Sequence, residues 1–476
     1  MLWACLHIPD FSLQLLVRGA SASGPLIISS GGNRPCVLSC NPAARSLGIT
    51  PGMAVSAAVA LAPDLIEHER DATVEAQALC AIANWAGQFT SVVSLSPPDA
   101  VLLEVQGSLR LFDGLRRLLL RIDEGLSAMG YSAAIAAAPT PTAAQLLART
   151  GLASTVTDLN ELPAALAPLP LALLDQPSET IRMLAIMGVD TIGACLQLPR
   201  DGLSRRFGQC LIDELDRALG RLPDPRVPHQ APVRYRGGLA LPAPVAESEP
   251  LLFATRRLIV ELAGYLHMKQ AGVTRLKLAL HHDDRPATVL RLALSKPSRD
   301  ATRIVRLLRE RLMRLQLPDR VEVIQLDGEE ERPLQSQSLS LFPEDTPPEE
   351  ERWSIIDHLR ARLGADAVYG MTSSPDHRPE AAWRTCEPGA AARSFVYAER
   401  PLWLLDQPRK LLEQEDQPML EGPLTLVSGP ERIEGGWWDG HDVERDYFVA
   451  SDTCGRRFWI FRRRHEAGWF LQGIFA

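Results

Sequence analysis

Between Asp327 and Arg352 the chain carries nine acids against two arginines, with prolines at 333, 343, 347 and 348. A run of like charge broken by proline buries too little apolar surface to offset the ordering of its backbone, so it is expected to be an extended acidic linker. The chain must then fold as separate bodies on either side of it. The two sides differ in kind. The segment 353–476 holds seven of the nine tryptophans. Immediately before the linker, between Arg256 and Arg320, fifteen Lys or Arg stand against six Asp or Glu, an excess of +9 in a chain of net charge −8. A length of 476 residues and 46% hydrophobic content suit three or four domains with ample cores.

Several classes are excluded by pattern. Met1 to Leu6 is a short apolar run without a basic start, interrupted by His7, Pro9 and Asp10, so no secretion signal is expected. No uninterrupted apolar stretch reaches the ~18 residues of a membrane span. The eight cysteines form no Cys-x-x-Cys pair or His-Cys zinc pattern, and read as reduced thiols of a cytoplasmic protein. No cofactor is expected.

From Val37 the chain reads VLSCNPAARSLGITPGMAVSAAVALAPDL. Ala44, Arg45, Gly48, Gly52, Met53, Pro63 and Asp64 match in order and spacing the fingers of Y-family (translesion) DNA polymerases, which this stretch resembles. The likeness continues through Leu102 to Gly107, similar to the second palm strand, and Gly130 to Arg149, similar to the strand and helix that close the palm. Leu184 to Phe207 is similar to the small helical thumb, with Gly188 and Gly193 in its hairpin turns. The resemblance implies a multidomain α+β chain: palm and fingers over 1–160, thumb over 161–228, little finger over 232–326, acidic linker over 327–352, and a small aromatic-rich α+β module over 353–476.

The chemistry that the resemblance implies is two-metal phosphoryl transfer, which needs hard oxygen ligands around two divalent ions. Active members begin the palm with His-Ile/Val-Asp-x-Asp and later carry Ser-x-Asp-Glu. Here the first motif is His7-Ile8-Pro9-Asp10, with Pro9 where the first ligand belongs. At the second, aligning Leu102 to Gly107 puts Asp99 near the Asp position, but Ala100 stands where the adjacent Glu should be and Pro97-Pro98 precede it. The triphosphate-neutralising groups differ as well: Pro42 precedes Arg45, and Pro141 and Gln145 occupy the places of the family's lysines. No lysine occurs before Lys269. The palm is therefore expected to be non-catalytic, with no metal site. The alternative is a weakly active polymerase using Asp10, Asp99 and Glu104 as substitute ligands.

The basic stretch has a readable order. A helix over Leu251–Met268 is followed by an alternating strand over Thr274–Leu280, a second near Ala287–Leu294, a helix over Asp300–Leu315 and a strand near Val321–Leu326. With a strand near Gly238–Leu241 this is β-α-β-β-α-β, similar to the Y-family little finger, which grips the DNA backbone. Arg275, Lys277 and Arg291 are expected to project on one side while Leu276, Leu278 and Leu292 pack inward. With Lys296, Arg299 and the helix residue Arg303 they form the candidate DNA-binding set, making phosphate contacts that give affinity without reading bases. Arg306, Arg309, Arg311 and Arg314 read equally well as a solvated helix face.

Inside the linker lies one apolar island, Gln337-Ser338-Leu339-Ser340-Leu341-Phe342. Tethered apolar anchors suit a partner's groove, and the island resembles the bacterial sliding-clamp binding motif, with Gln337 one residue early for its five-residue form. An edge strand docked on its own chain is the other reading. After the linker, Gly429 to Trp438, Arg445 to Ala450, Phe458 to Arg462 and Trp469 to Phe475 read in part as a small antiparallel sheet. Placed after such a palm and clamp motif, these runs resemble the catalytically defective Y-family homologues of bacterial mutagenesis cassettes. The resemblance implies a non-catalytic adaptor for SOS-type translesion synthesis. Its partners would be DNA, the sliding clamp, an error-prone C-family DNA polymerase and an ImuA-type, RecA/SulA-like accessory protein. A plain structural DNA-binding protein without a clamp link is the third reading.

Overall fold

The computed structural model describes residues 1–19, 24–334, 348–364, 366–390, 395 and 399–475. They form two compact units, Met1–Arg362 and Leu363–Ala476.

In the first unit the palm is a five-stranded sheet in the order Val93–Ser96, Ala100–Glu104, Trp3–His7, Ala134–Ala138, Ser154–Thr155. The central strand Trp3–His7 is antiparallel to both neighbours, with Cys5 opposite Leu102 on one side and Ala136 on the other. Its residues are nearly continuously apolar because both faces are covered. Ala4, Leu6, Val101 and Leu103 pack with the helices Ala72–Ala86 and Leu115–Ala128. Trp3, Cys5, Ala100 and Leu102 pack with the helix Pro141–Arg149 and the thumb. The fingers are a three-stranded sheet, Val37–Cys40, Leu26–Ser29, Ile66–Glu69, with two short helices. Asn41 starts the first of these: its Oδ1 accepts from the Ala44 amide at 2.9 Å, and Pro42 takes the position where a missing N–H costs nothing.

The thumb is helical, as expected. Gly188 sits at φ +77° in the turn after the helix Ser178–Ile186. Gly193, expected in a turn, lies instead inside the helix Ile192–Leu196, where its amide donates to the Ala167 carbonyl at 2.9 Å and a Cβ would press on Ala167.

The little finger is a four-stranded antiparallel sheet in the order Thr288–Ser298, Ala271–His281, Val321–Pro333, Arg236–Val245, with the helices Ser248–Met268 and Ala301–Leu312 on one face. Two boundaries differ from the expected ones. The strand Val321–Pro333 runs on through Asp327 to Glu331, because acids on its open face meet cations of the neighbouring strands, so the proposed linker begins later. The helix Pro348–Leu363 begins inside the proposed linker and, up to Arg362, belongs to the first unit: Ala361 joins the little-finger core, and Asp357 accepts from the Ser295 amide and hydroxyl at 3.0 and 2.6 Å.

Palm and little finger share a close seam. The helix Ser248–Met268 lies on the palm helix Ala72–Ala86, and the Trp85 ring is set between Gly125 and Gly264. A Cβ on either glycine would stand 2.2 Å from that ring. Only glycine permits this approach.

The second unit contains a five-stranded antiparallel sheet in the order Trp403–Lys410, Glu466–Ile474, Arg457–Arg463, Val443–Ser451, Thr425–Gly435, with two short ribbons. The period-2 alternation splits its aromatics between two faces. Phe458, Ile460 and Trp469 serve one cluster, while Trp459, Phe461 and Phe470 serve the other. Tyr447 stacks on Trp459 with ring centroids 4.1 Å apart. Among the described residues no helix is long and apolar enough to cross a membrane.

Candidate functional site

The palm motif residues come together at the end of the central strand. The Ile8 amide donates to the Asp99 carbonyl at 2.8 Å, and His7 Nε2 lies 3.5 Å from Asp99 Oδ2. Pro9 follows with no ligating atom on its side chain, and Ala100 pairs in register with His7. Asp10 is exposed, in the left-handed region at φ 49°, and makes no capping bond to the helix Phe11–Val17 that it precedes. Glu104 is opposite Trp3, at the other end of the strand from Ala100. At ~3.3 Å per residue that is about 13 Å away, too far to share a metal ion with Asp99. Its Oε1 accepts from the Gln106 amide instead. Among the described residues no group of three or more His, Cys, Asp or Glu could hold a metal ion. Cys5, beneath the site on the central strand, has its thiol pushed up to about 12 by burial, which keeps it protonated and unreactive.

The start of the helix Pro141–Arg149 is where the resemblance calls for triphosphate-binding cations. An acid occupies it. Asp224 Oδ2 accepts from the Thr142 amide at 2.9 Å and from its hydroxyl at 2.8 Å, and Arg226 pairs with the same carboxylate. A helix N-terminus favours anions through its free amides and dipole, and here one of those amides is taken by the chain's own carboxylate. Gln145, on the same helix, accepts from the Ser96 hydroxyl at 3.1 Å. A polar cleft of about 480 Å³ beside these residues is lined by Arg149, Arg217 and Arg226, but also by Asp213, Glu214 and Asp224.

The open face of the little-finger sheet carries the charged set. Arg291, Lys277, Asp327 and Arg236 stand in one cross-strand row, each in register with the next. Asp327 lies 3.6 Å from Lys277 Nζ and 3.2 Å from Arg236 Nε. Arg275 pairs with Glu330 at 3.4 Å, and Arg291 with Glu329 at 3.8 Å. Arg332 bonded to Glu330 holds that carboxyl below its ordinary value. Leu276, Leu278 and Leu292 point into the core, as the alternation predicted. Sequence reasoning missed Arg236, which sits before the strand assigned near Gly238, and missed the acids that partly neutralise the row. Both signals lay in the alternation of 236–240 and 325–329.

The other three candidates lie elsewhere on the domain. Lys296 is on the same strand as Arg291, but its ammonium stands 5.6 Å from the ring centre of Trp353, on the helix Pro348–Leu363. Arg303 bonds to Asp357 of that helix, and its side chain is only 19% exposed. Arg299 is half-buried. The structure thus brings Arg275, Lys277 and Arg291 onto one surface and sets Lys296 and Arg303 beside the added helix. Gln337, Ser338, Leu339, Ser340, Leu341 and Phe342 lie outside the described residues.

Residues 16–149 match the impB/mucB/samB family. Along a much greater length the chain is similar to Protein ImuB of Caulobacter vibrioides strain NA1000 / CB15N, with 28% identity over 458 residues, covering 90% of this chain and 100% of that protein; Protein ImuB of strain ATCC 19089 / CIP 103742 / CB 15 matches equally. Among solved structures, the insertion ternary complex of Dbh DNA polymerase is 17% identical, with a TM-score of 0.42, covering 69% of this chain and 98% of that one. The crystal structure of DinB from Sulfolobus solfataricus is 17% identical over the same shares, with a TM-score of 0.39. The matched stretch spans the fingers and most of the palm described above.

Proposed function

We propose that this chain is a non-catalytic adaptor of translesion DNA synthesis in the bacterial cytoplasm. It binds DNA through the open face of its little finger, with Arg236, Arg275, Lys277 and Arg291 on phosphates. It binds the sliding clamp through Gln337 to Phe342, with Leu341 and Phe342 as anchors. It brings an error-prone C-family polymerase and an ImuA-type accessory protein to the lesion. The observation that carries this reading is at the palm, where Asp99 stands with His7, Pro9 and Ala100 fill the ligand positions, and no group of three or more His, Cys, Asp or Glu among the described residues could hold a metal ion. Two-metal transfer needs several hard oxygen ligands held together, and removal of one charge stabiliser alone typically costs about 10²–10³ in rate. The similarity to Protein ImuB over 90% of the chain supports the same role.

The test is primer extension by the purified chain with Mg²⁺ and with Mn²⁺, beside clamp binding by wild type and by Leu341→Ala/Phe342→Ala. The adaptor reading expects no extension and loss of clamp binding in the variant. Extension abolished by Asp99→Ala would establish a weakly active polymerase instead. Clamp binding unaffected by the double substitution would remove the clamp peptide from the reading.

A further inference from the structure

The turn between the strands Thr425–Gly435 and Val443–Ser451 displays two adjacent tryptophans to solvent: Trp437 is 78% exposed and Trp438 61%. Their rings meet edge to face, with centroids 5.6 Å apart. Trp459 and Trp469 of that sheet are buried in its core clusters, whereas these two belong to neither cluster; Trp403, at the start of an edge strand, is exposed as well but stands alone.

The turn is nevertheless built with unusual care. Arg378, whose side chain is 7% exposed, donates to both oxygens of Asp376 and both oxygens of Asp439, and to the His441 carbonyl at 3.1 Å. That pairing holds the Asp439 carboxyl down to about 2. Gly436 has φ +94°, and a Cβ there would stand 2.2 Å from the His441 carbonyl oxygen and 2.6 Å from Arg378. The Arg378 guanidinium also lies 5.4 Å from the Trp438 ring centre. A buried, doubly paired arginine therefore fixes the backbone that holds two exposed indoles. Rigid aromatic anchors lose little freedom on binding, which is the property of interface hot spots.

The charge around the turn selects the partner. Glu434 and Glu444 face each other across the hairpin base, and with Asp376, Asp439 and Asp442 they make an acidic collar of five carboxylates against three permanent cations, Arg378, Arg432 and Arg464, with His465 beside Glu444. Asp442 is exposed and stands in no ion pair among the described residues. Nucleic acid and anionic lipid would be repelled by such a collar. We infer that Trp437 and Trp438 form a preset knob that docks into an apolar cleft, rimmed by Lys or Arg, on a protein partner. This inference rests on the adaptor reading and assigns the part of the C-terminal unit that engages a recruited protein.

The experiment uses the full chain as wild type, Trp437→Ala/Trp438→Ala and Asp442→Lys, with the purified C-family polymerase and the purified accessory protein as separate probes. Both tryptophans are exposed, so an unchanged thermal transition is expected to confirm folding of the variants. The expected result is a loss of at least ~30-fold in affinity for one of the two proteins in the double variant. For Asp442→Lys a several-fold loss that shrinks at high salt is expected for the same protein. Full affinity of the double variant for whatever the wild type binds would overturn the knob and leave the adaptor reading standing. Wild type binding neither protein would overturn both. Binding of oligo-dT or phosphatidylserine vesicles that disappears in the double variant, with protein binding intact, would replace the protein cleft by that other ligand.

Discussion

Arg18, immediately after the helix Phe11–Val17, and Glu261, on the little-finger helix Ser248–Met268, form an ion pair at 3.5 Å with side chains 4% and 3% exposed. The same arginine donates to the Tyr131 hydroxyl, and the Tyr235 hydroxyl donates to Glu261 at 3.0 Å. Burial pushes the Tyr131 phenol up to about 12, so it remains a neutral partner. A buried pair in water's absence is weak evidence for net stability, but its halves are not separable. Replacing Arg18 by Met should cost about 3–5 kcal/mol in urea unfolding, because Glu261, whose carboxyl burial already pushes up, would be left buried without its cation. Arg18→Met/Glu261→Gln should recover a large part of that loss. With Glu261→Gln measured alone, a loss in the double variant equal to the sum of the two single losses would mean that the pair is not coupled.

The seam beside it makes a steric prediction. Gly264→Ala and Gly125→Ala each put a methyl 2.2 Å from the Trp85 ring. Each is expected to destabilise the chain by about 1–3 kcal/mol. Gly202→Ala, in the helix Arg200–Phe207 with nothing within 4 Å of the added Cβ, should stabilise by about 0.5–1 kcal/mol. Thermal melts of the three variants decide between packing and a general intolerance of alanine.

A pH dependence follows from His229, on the segment that leads from thumb to little finger. Its Nε2 lies 2.8 Å from Asn84 Oδ1 and its amide donates to the Val93 carbonyl at 2.7 Å. Burial holds this imidazole below its ordinary value of 6.5. The unfolded chain therefore binds the proton more readily, and the contribution of the neutral ring is complete above pH 6.5 and lost as pH falls from there toward the lowered folded value. Hydrogen exchange across 227–231 should accelerate between pH 7 and pH 5.5 beyond the intrinsic chemical trend. His229→Asn should abolish the excess.

The charged row of the little finger gives opposite signs for two substitutions one residue apart in space. Lys277→Glu or Arg291→Glu should weaken duplex binding and flatten its salt dependence by roughly one counterion per lost phosphate contact. Asp327→Asn removes the acid that pairs with Lys277 and Arg236, and should tighten binding and steepen that dependence. Salt slopes from fluorescence anisotropy that do not move in either case would place the DNA surface elsewhere.

Much of the little finger was legible because its periods are clean. The 2-residue alternation over 274–280 put Leu276 and Leu278 inside and Arg275 and Lys277 outside, where they are. The ends of elements were harder. Charge composition marked Asp327 to Glu331 as linker, but the strand continues there because Asp327, Glu329 and Glu330 find cations across the sheet and Glu331 meets Lys269 at a helix end, and such pairing is invisible to a count along one strand. The helix Pro348–Leu363 was obscured in the same way by its acidic start, while its value lies in Asp357 meeting Ser295 and Arg303, residues distant in sequence. At the palm, Pro9 and Ala100 could be read directly. Asp224 at the helix start could not, because its contact with Thr142 spans the whole thumb.

Trp85, set between Gly125 and Gly264, packs the seam of palm and little finger so closely that neither glycine can take one more carbon. A gripping domain that swings into place surrenders orientational freedom each time it meets its ligand; one whose attitude was fixed as the chain folded does not. Under the proposed function the row from Arg291 to Arg236 would meet a duplex in the attitude that this seam sets, and its grip is expected to track ionic strength with no slow closing step in the approach to equilibrium.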